Sequence, residues 1–172
     1  MKYWYDTEFI EDGITIDLIS IGIVCEDGRE LYMQSAEFDA EKANEWVKEN
    51  VLPHLLASCL LTSRVAIRDA ILAFMDPEKY GKPELWGYYS AYDHVAFCQL
   101  FGTMMDLPKG FPMYTRDIKQ LCDSLGNPRL PEQGKNEHNA LQDAKWNKQA
   151  WEFLAQYVPL DEIPFYPVEK PV

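Results

Sequence analysis

Lys and Arg are in short supply: 16 of them face 28 Asp and Glu, leaving a net charge of −12 over 172 residues. A chain this acidic repels a polyanion, which excludes the avid duplex binding that broad basic surfaces give. Cysteine is sparse too, and Cys25, Cys59, Cys98 and Cys122 contain no Cys-x-x-Cys pair. The scatter argues against disulfides, zinc ligands or a nucleophile; Cys25 and Cys98 fall in apolar strand and helix patterns, so buried free thiols are expected. No apolar run approaches the roughly 20 residues of a membrane span, and the N-terminus runs into a strand pattern with no secretory leader. A cytoplasmic protein without membrane contact is expected. Internal repeats are absent, and with 47% hydrophobic residues the chain can fill a sizeable core. A single domain over residues 1–172 follows, with an extended tail from about residue 158 that carries Pro159, Pro164, Pro167 and Pro171.

What the chain does hold is acids in particular places. Residues 2–9 are rich in Tyr, Trp, Thr and Phe, a strand composition, and they contain Asp6-Thr7-Glu8. Alternate residues of a strand share a face, so Asp6 and Glu8 project together with Cα atoms roughly 6.8 Å apart. Carboxylate oxygens are the ligands Mg²⁺ and Mn²⁺ prefer, and hydrolytic two-metal sites hold their ions about 3.5–4 Å apart. Alone, such a pair reads more simply as a solvated strand end.

Two further acids each head an apolar helical stripe. Asp93 leads Ala96, Phe97, Leu100, Phe101 and Met104, and Asp143 leads Trp146, Ala150, Phe153, Leu154 and Tyr157. A carboxylate on a core-facing stripe must be protonated, paired with a base or bound to a metal. Ser90-Ala91-Tyr92-Asp93 also fits a capping pattern, in which Asp93 serves only free backbone N–H groups. Before the second stripe, Asn139 is a suitable N-cap and Gln142 completes a capping-box pattern. His138 then precedes the cap and Asp143 takes the fourth helical position, the two places that meet in a hydrophobic staple, so the imidazole and the carboxylate are expected to lie close.

Asp6-Thr7-Glu8, Tyr92-Asp93 and His138…Asp143-Ala144, in this order, resemble the three motifs of the DEDDh 3′-to-5′ exonucleases of the ribonuclease H-like fold. Within that family the likeness is strongest to the RNase AS type, polyadenylate-specific 3′-to-5′ exoribonucleases with phage and bacterial relatives. It is carried by residues 5–13, 19–22, 91–95 and Thr115-Arg116-Asp117 and spans roughly residues 2–154. One departure is that Tyr89-Ser90-Ala91 stands where many members have an asparagine before the second aspartate.

The resemblance implies an α/β fold whose mixed sheet, an antiparallel meander plus parallel strands, is flanked by helices. It implies that Asp6, Glu8, Asp93 and Asp143 hold two Mg²⁺ or Mn²⁺ ions. His138 would be the general base, imidazole having an ordinary pKa of about 6.5. Nucleoside 5′-monophosphates would be released from single-stranded nucleic acid, RNA before DNA, and a homodimer is implied as well. A DNA exonuclease with the same site and a catalytically silent binding module are the alternatives; no 12-residue Ca²⁺-loop pattern spans the acids.

Substrate contacts are read from charge and rings. Residues 1–60 hold 13 acids against 4 Lys or Arg, whereas 109–148 hold 7 Lys or Arg against 5 acids. Lys109, Arg116, Lys119, Arg129, Lys135 and Lys145 are therefore expected to offer a basic wall. Unpaired bases stack on aromatic faces, and Phe9 is the first candidate, with Tyr92, Tyr88, Tyr89 and Trp46 behind it. Backbone groups of residues 7–9, Thr7 among them, are candidates for the terminal sugar. Strands are expected at 17–25, 30–34 and 84–88, helices at 40–50, 63–75 and 116–125, and a substrate-gating loop at 126–137.

Overall fold

In the computed structural model the described residues are 1–134 and 137–157. A six-stranded sheet forms the middle layer, made of β1 (Lys2–Glu11), β2 (Ile16–Cys25), β3 (Glu30–Ser35), β4 (Leu61–Thr62), β5 (Glu84–Gly87) and β6 (Arg116–Asp117). Its order is β4-β3-β2-β1-β5-β6. β1, β2 and β3 are the antiparallel meander, while β4 joins β3, β5 joins β1 and β6 joins β5, all in parallel. The helices are α1 (Glu45–Asn50), α2 (Arg64–Met75), α3 (Pro77–Tyr80), α4 (Ala91–Gln99), α5 (Ile118–Ser124) and α6 (Ala140–Leu154). This is the expected α/β architecture: a mixed sheet flanked by helices, consistent with a ribonuclease H-like fold.

Alternation along β1 sorts the layers. Tyr3 and Tyr5 point into a core with Ile67, Ile71 and Met75 of α2 and Phe97 of α4. Trp4 points the other way, with Trp86, into a core with Leu121 of α5 and Ala150, Trp151 and Leu154 of α6. A third cluster packs Val47 and Val51, at α1, on Ile10 and Ile19. Cys25, Cys98 and Cys122 are buried, Cys59 is partly so, and all four are free. No helix among the described residues is long and apolar enough to cross a membrane.

Several expected boundaries move for local reasons. The single helix over 40–50 is a 3₁₀ turn at Ala40–Lys42 and then α1, because the Asn44 side chain accepts from Val47 N at 2.9 Å and restarts the helix. The Asp93 stripe ends early: α4 stops at Gln99, and Met104, 46% exposed, lies in a new turn capped by Thr103 and Asp106. The helix expected from residue 116 begins as β6, with Asp117 capping α5. β4 and α3 were not anticipated, although Asp76-Pro77 carries the cap-plus-proline signal for α3. Lys135 and the prolines of the tail lie outside the described residues.

Arg29 staples the β2–β3 turn to the far end of α2. Its guanidinium lies 4.7 Å from the Phe74 ring centre and 4.0 Å from that of Tyr80, while Nη1 donates to Phe74 O at 2.7 Å and Nε to Asp27 Oδ2 at 2.7 Å. Arg29→Ala is expected to lower unfolding stability by about 1–3 kcal/mol, with Lys a poor substitute for the planar fork. Urea unfolding monitored by circular dichroism checks this; a midpoint unchanged in Arg29→Ala would contradict it.

Candidate active site

The acids meet where β1 outruns its neighbour. β5 pairs only with Lys2, Tyr3 and Trp4, so from Tyr5 onward that edge of β1 is open. Side chains fill the gap: Thr7 N donates to Asp93 Oδ1 at 2.8 Å, Thr7 Oγ1 donates to the same oxygen at 2.6 Å, and Asn147 Nδ2 of α6 donates to Tyr5 O at 2.9 Å. Asp93 is thereby locked to the strand between the other two acids. The capping alternative for this region is not what forms, since the Ser90 side chain makes no cap bond; Ser90 N instead donates to Asp117 Oδ2 at 2.9 Å.

From the opposite face comes α6. Gly22 sits across from Asp6 in the β1–β2 register, and Glu8 faces Ser20, with a bulge following Glu8. A Cβ on Gly22 would stand 2.3 Å from Ala140 C, Ala140 O and Leu141 N, so the first turn of α6 lies on bare backbone there. Asn139 caps the helix, accepting from Gln142 N at 3.2 Å, as its sequence position suggested. His138 is in the left-handed region (φ 68°), and its backbone N donates to Asp143 Oδ2 at 2.9 Å. Imidazole and carboxylate residues are neighbours as expected, with the backbone N–H rather than the ring supplying that bond.

Asp6, Glu8, Phe9, Asp93, His138 and Asp143 line one cleft of about 240 Å³, together with Thr7, Tyr88, Gln133, Trp146 and Asn147. Asp6, Glu8 and Asp143 bring carboxylate oxygens within 4.8 Å of one another. Among the described residues no Lys or Arg lines the cleft. Burial, then repulsion from Asp143 and Asp93, pushes Glu8 up to about 8. Burial and the other three acids hold Asp6 well above the carboxylate range. Burial lifts Asp93 to about 6 against the lowering bonds from Thr7, and it raises Asp143 as well. Four crowded carboxylates with raised pKa values and no cation fit a site for divalent metal, which would supply the missing positive charge.

Other expected contacts divide. Phe9 lies edge-on to Tyr92, centroids 6.0 Å apart, with the Tyr92 ring 52% exposed. Tyr88 packs edge-on to Trp146 at 5.0 Å and to Tyr89 at 4.7 Å. Thr7 lines the cleft, but its N–H and hydroxyl are engaged by Asp93 rather than free for a sugar. Among the described residues the expected basic wall is broken up by ion pairs. Lys119 pairs with Asp123, Arg129 with Glu132 at 2.7 Å, Lys145 with Glu30 at 2.9 Å and Arg116 with Glu84 at 3.7 Å, while Lys109 lines a separate cavity. Lys145 alone borders an adjoining cavity of about 220 Å³, which shares Gln133, Asp143 and Trp146 with the acid cleft.

The sequence reading missed Asn147, Gln133 and Gly22. Asn147 had a signal, since it lies four residues beyond Asp143 on the same helix face. Gln133 Nε2, 2.5 Å from Asp143 Oδ1, sits in a loop where no periodicity points.

The model of the 3′-5′ exoribonuclease Rv2179c-like domain matches residues 1–155 of this chain. The chain belongs to that family. Among its curated relatives, the 3′-5′ exoribonuclease Rv2179c of Mycobacterium tuberculosis (strain ATCC 25618 / H37Rv) is 51% identical over 147 residues, spanning 84% of this chain and 88% of the relative. The 3′-5′ exoribonuclease MT2234.1 of strain CDC 1551 / Oshkosh matches to the same extent. Within an exoribonuclease domain, a cleft of four clustered acids beside a histidine is the feature whose chemistry fits phosphodiester hydrolysis.

Proposed function

We propose that this chain, a 3′-5′ exoribonuclease by its family, is a DEDDh-type enzyme close to RNase AS, acting as one exonuclease domain on the 3′ ends of single-stranded RNA, poly(A) and other tails included. The observation that carries the reading is the convergence of Asp6, Glu8, Asp93 and Asp143 with no Lys or Arg in the cleft lining among the described residues. These four residues would hold two Mg²⁺ or Mn²⁺ ions. When bound, the ions supply Lewis-acid activation of water and neutralise charge on the scissile phosphate and the departing 3′ oxygen.

The chain's own residues do the rest. Thr7 and Asn147 keep Asp93 and the Asp6 backbone in fixed relation, so the ligands are organised before substrate arrives. His138, at the cleft wall beside Asp143, takes the proton from the attacking water. Phe9 and Tyr92 stack on the terminal bases, which suits unpaired strands and not duplexes. Nucleoside 5′-monophosphates are the products. The resemblance also implies a homodimer, which light scattering tests; a cytoplasmic location is the expectation from the sequence pattern.

The test is a time course on 5′-labelled single-stranded oligo(A) RNA with Mn²⁺ or Mg²⁺, run beside the matching DNA and an EDTA control. A ladder that shortens from the 3′ end, on RNA and with metal only, is expected. A DNA ladder of equal rate would reassign the substrate, and no shortening of either would turn the reading toward a binding module.

A further inference from the structure

His138 hangs outside the secondary structure. Its backbone is fixed by the bond to Asp143 Oδ2, but that bond leaves the side-chain torsions free. What meets the ring is Trp46: the two ring centroids are 4.8 Å apart and the planes stand at 78°, edge to face. Such aromatic pairs favour one mutual orientation over a freely turning ring.

Trp46 is held on a firm support. Asn44 caps α1, Asn50 Nδ2 donates to Trp46 O at 2.9 Å, and the next residue, Val47, is buried against Ile10 and Ile19. The segment after α1 is fastened to the same corner, since Asn139 Nδ2 donates to His54 O at 3.0 Å. Trp46 itself is 52% exposed, so core packing does not account for a ring of this size here. It is also not part of the cleft lining, whereas His138 is. Trp46 therefore meets the histidine from outside the cleft lining.

We infer that Trp46 is a positioning residue that holds the His138 ring toward the acid cleft, so that a segment outside the acid motifs governs proton removal. The inference rests on His138 being the base, and the experiment separates the two. Trp46→Ala, Trp46→Phe, His138→Ala and the double variant Trp46→Ala/His138→Ala are assayed on 5′-labelled single-stranded RNA with Mn²⁺, reading kcat and KM, with melting temperature as a control. Trp46→Ala is expected to lower kcat about 10-fold to 10²-fold at nearly constant KM and melting temperature, with Trp46→Phe recovering most of it. The double variant is expected to be no slower than His138→Ala.

A raised KM at unchanged kcat would make Trp46 a base platform and overturn the inference. So would a Trp46→Ala loss that multiplies in full onto His138→Ala. If His138→Ala keeps its activity, the base assignment falls, and the positioning role for catalysis falls with it. The contact is tested separately by the imidazole proton shifts of this three-histidine protein: Trp46→Ala must move the His138 signals and leave those of His94 in place. An unmoved His138 signal overturns the packing itself.

Discussion

Asp6→Asn is expected to reduce exonuclease turnover by roughly 10³-fold or more while raising the melting temperature of the metal-free protein at pH 8. The opposite signs share one cause. Asp6 sits against Glu8, Asp93 and Asp143, and burial together with these neighbours disfavours its charged form. An amide of the same shape removes one of the repelling charges and the cost of desolvating it. Relief of that desolvation and repulsion raises the melting temperature of the metal-free protein. On the proposed metal-dependent mechanism function moves the other way, because an amide would not replace the anionic ligand that a divalent ion needs. Differential scanning fluorimetry in EDTA, paired with the RNA ladder assay, reads both; a variant that melts lower at pH 8 would contradict the electrostatic account.

The same carboxylates set a pH dependence. Glu8, pushed from 4.5 to about 8, and Asp93, pushed to about 6, bind protons in the folded state that the unfolded chain has already released. The stability they contribute is complete below pH about 4 and is lost as pH rises toward about 8. Asp27 acts in the opposite sense only at lower pH, since Arg29 holds its carboxyl at about 2. The metal-free protein should therefore melt highest near pH 4–5 and lower at pH 8. Mg²⁺ or Mn²⁺ should stabilise it more at pH 8 than at pH 5, where protons compete for the same oxygens.

Much of this site was legible from side-chain chemistry and period. Strand alternation placed Asp6 and Glu8 together, and stripe positions marked Asp93 and Asp143 as buried acids. Cap arithmetic brought His138 to Asp143. What the sequence hid depends on backbone contact across the fold. The buried face of α6 runs through Ala140, Asp143, Ala144, Asn147, Ala150, Trp151 and Leu154, so that of the expected stripe Asp143, Ala150 and Leu154 lie on it, Trp146 and Phe153 pack on its margin partly buried, and Tyr157 is exposed. At the first turns of α6 the small residues Ala140 and Ala144 face the sheet because the helix start lies against Gly22, more than a hundred residues earlier, whereas Trp151 and Leu154 fill the core farther along. The basic wall failed for a related reason: Lys and Arg counts carry no information about which acids stand opposite, and Glu30, Glu84, Asp123 and Glu132 engage the charges meant for substrate.

Gly22→Ala is the sharpest test of that geometry. The added methyl would lie 2.3 Å from three backbone atoms of the first turn of α6, where ordinary contact begins at 3.4 Å, so the helix start must retreat by about 1.1 Å. No side chain can yield in its place. Ala140 and Leu141 lie between His138 and Asp143 in sequence, so the retreat carries the proposed base and the proposed ligand away from Asp6 and Glu8 as a unit. Overpacking of this kind costs about 1–3 kcal/mol in stability, and a displacement of about 1 Å costs on the order of 10²-fold in rate. On the proposed reading, in which Asp143 shares its ions with the acids of β1, the variant is also expected to bind Mn²⁺ at least about 10-fold more weakly, in line with the loss seen when groups that support metal ligands are removed. Calorimetric Mn²⁺ titration of the folded variant measures this directly. Wild-type affinity and turnover in Gly22→Ala would mean that α6 does not rest on this glycine, and that the acids are brought together by contacts elsewhere on the helix.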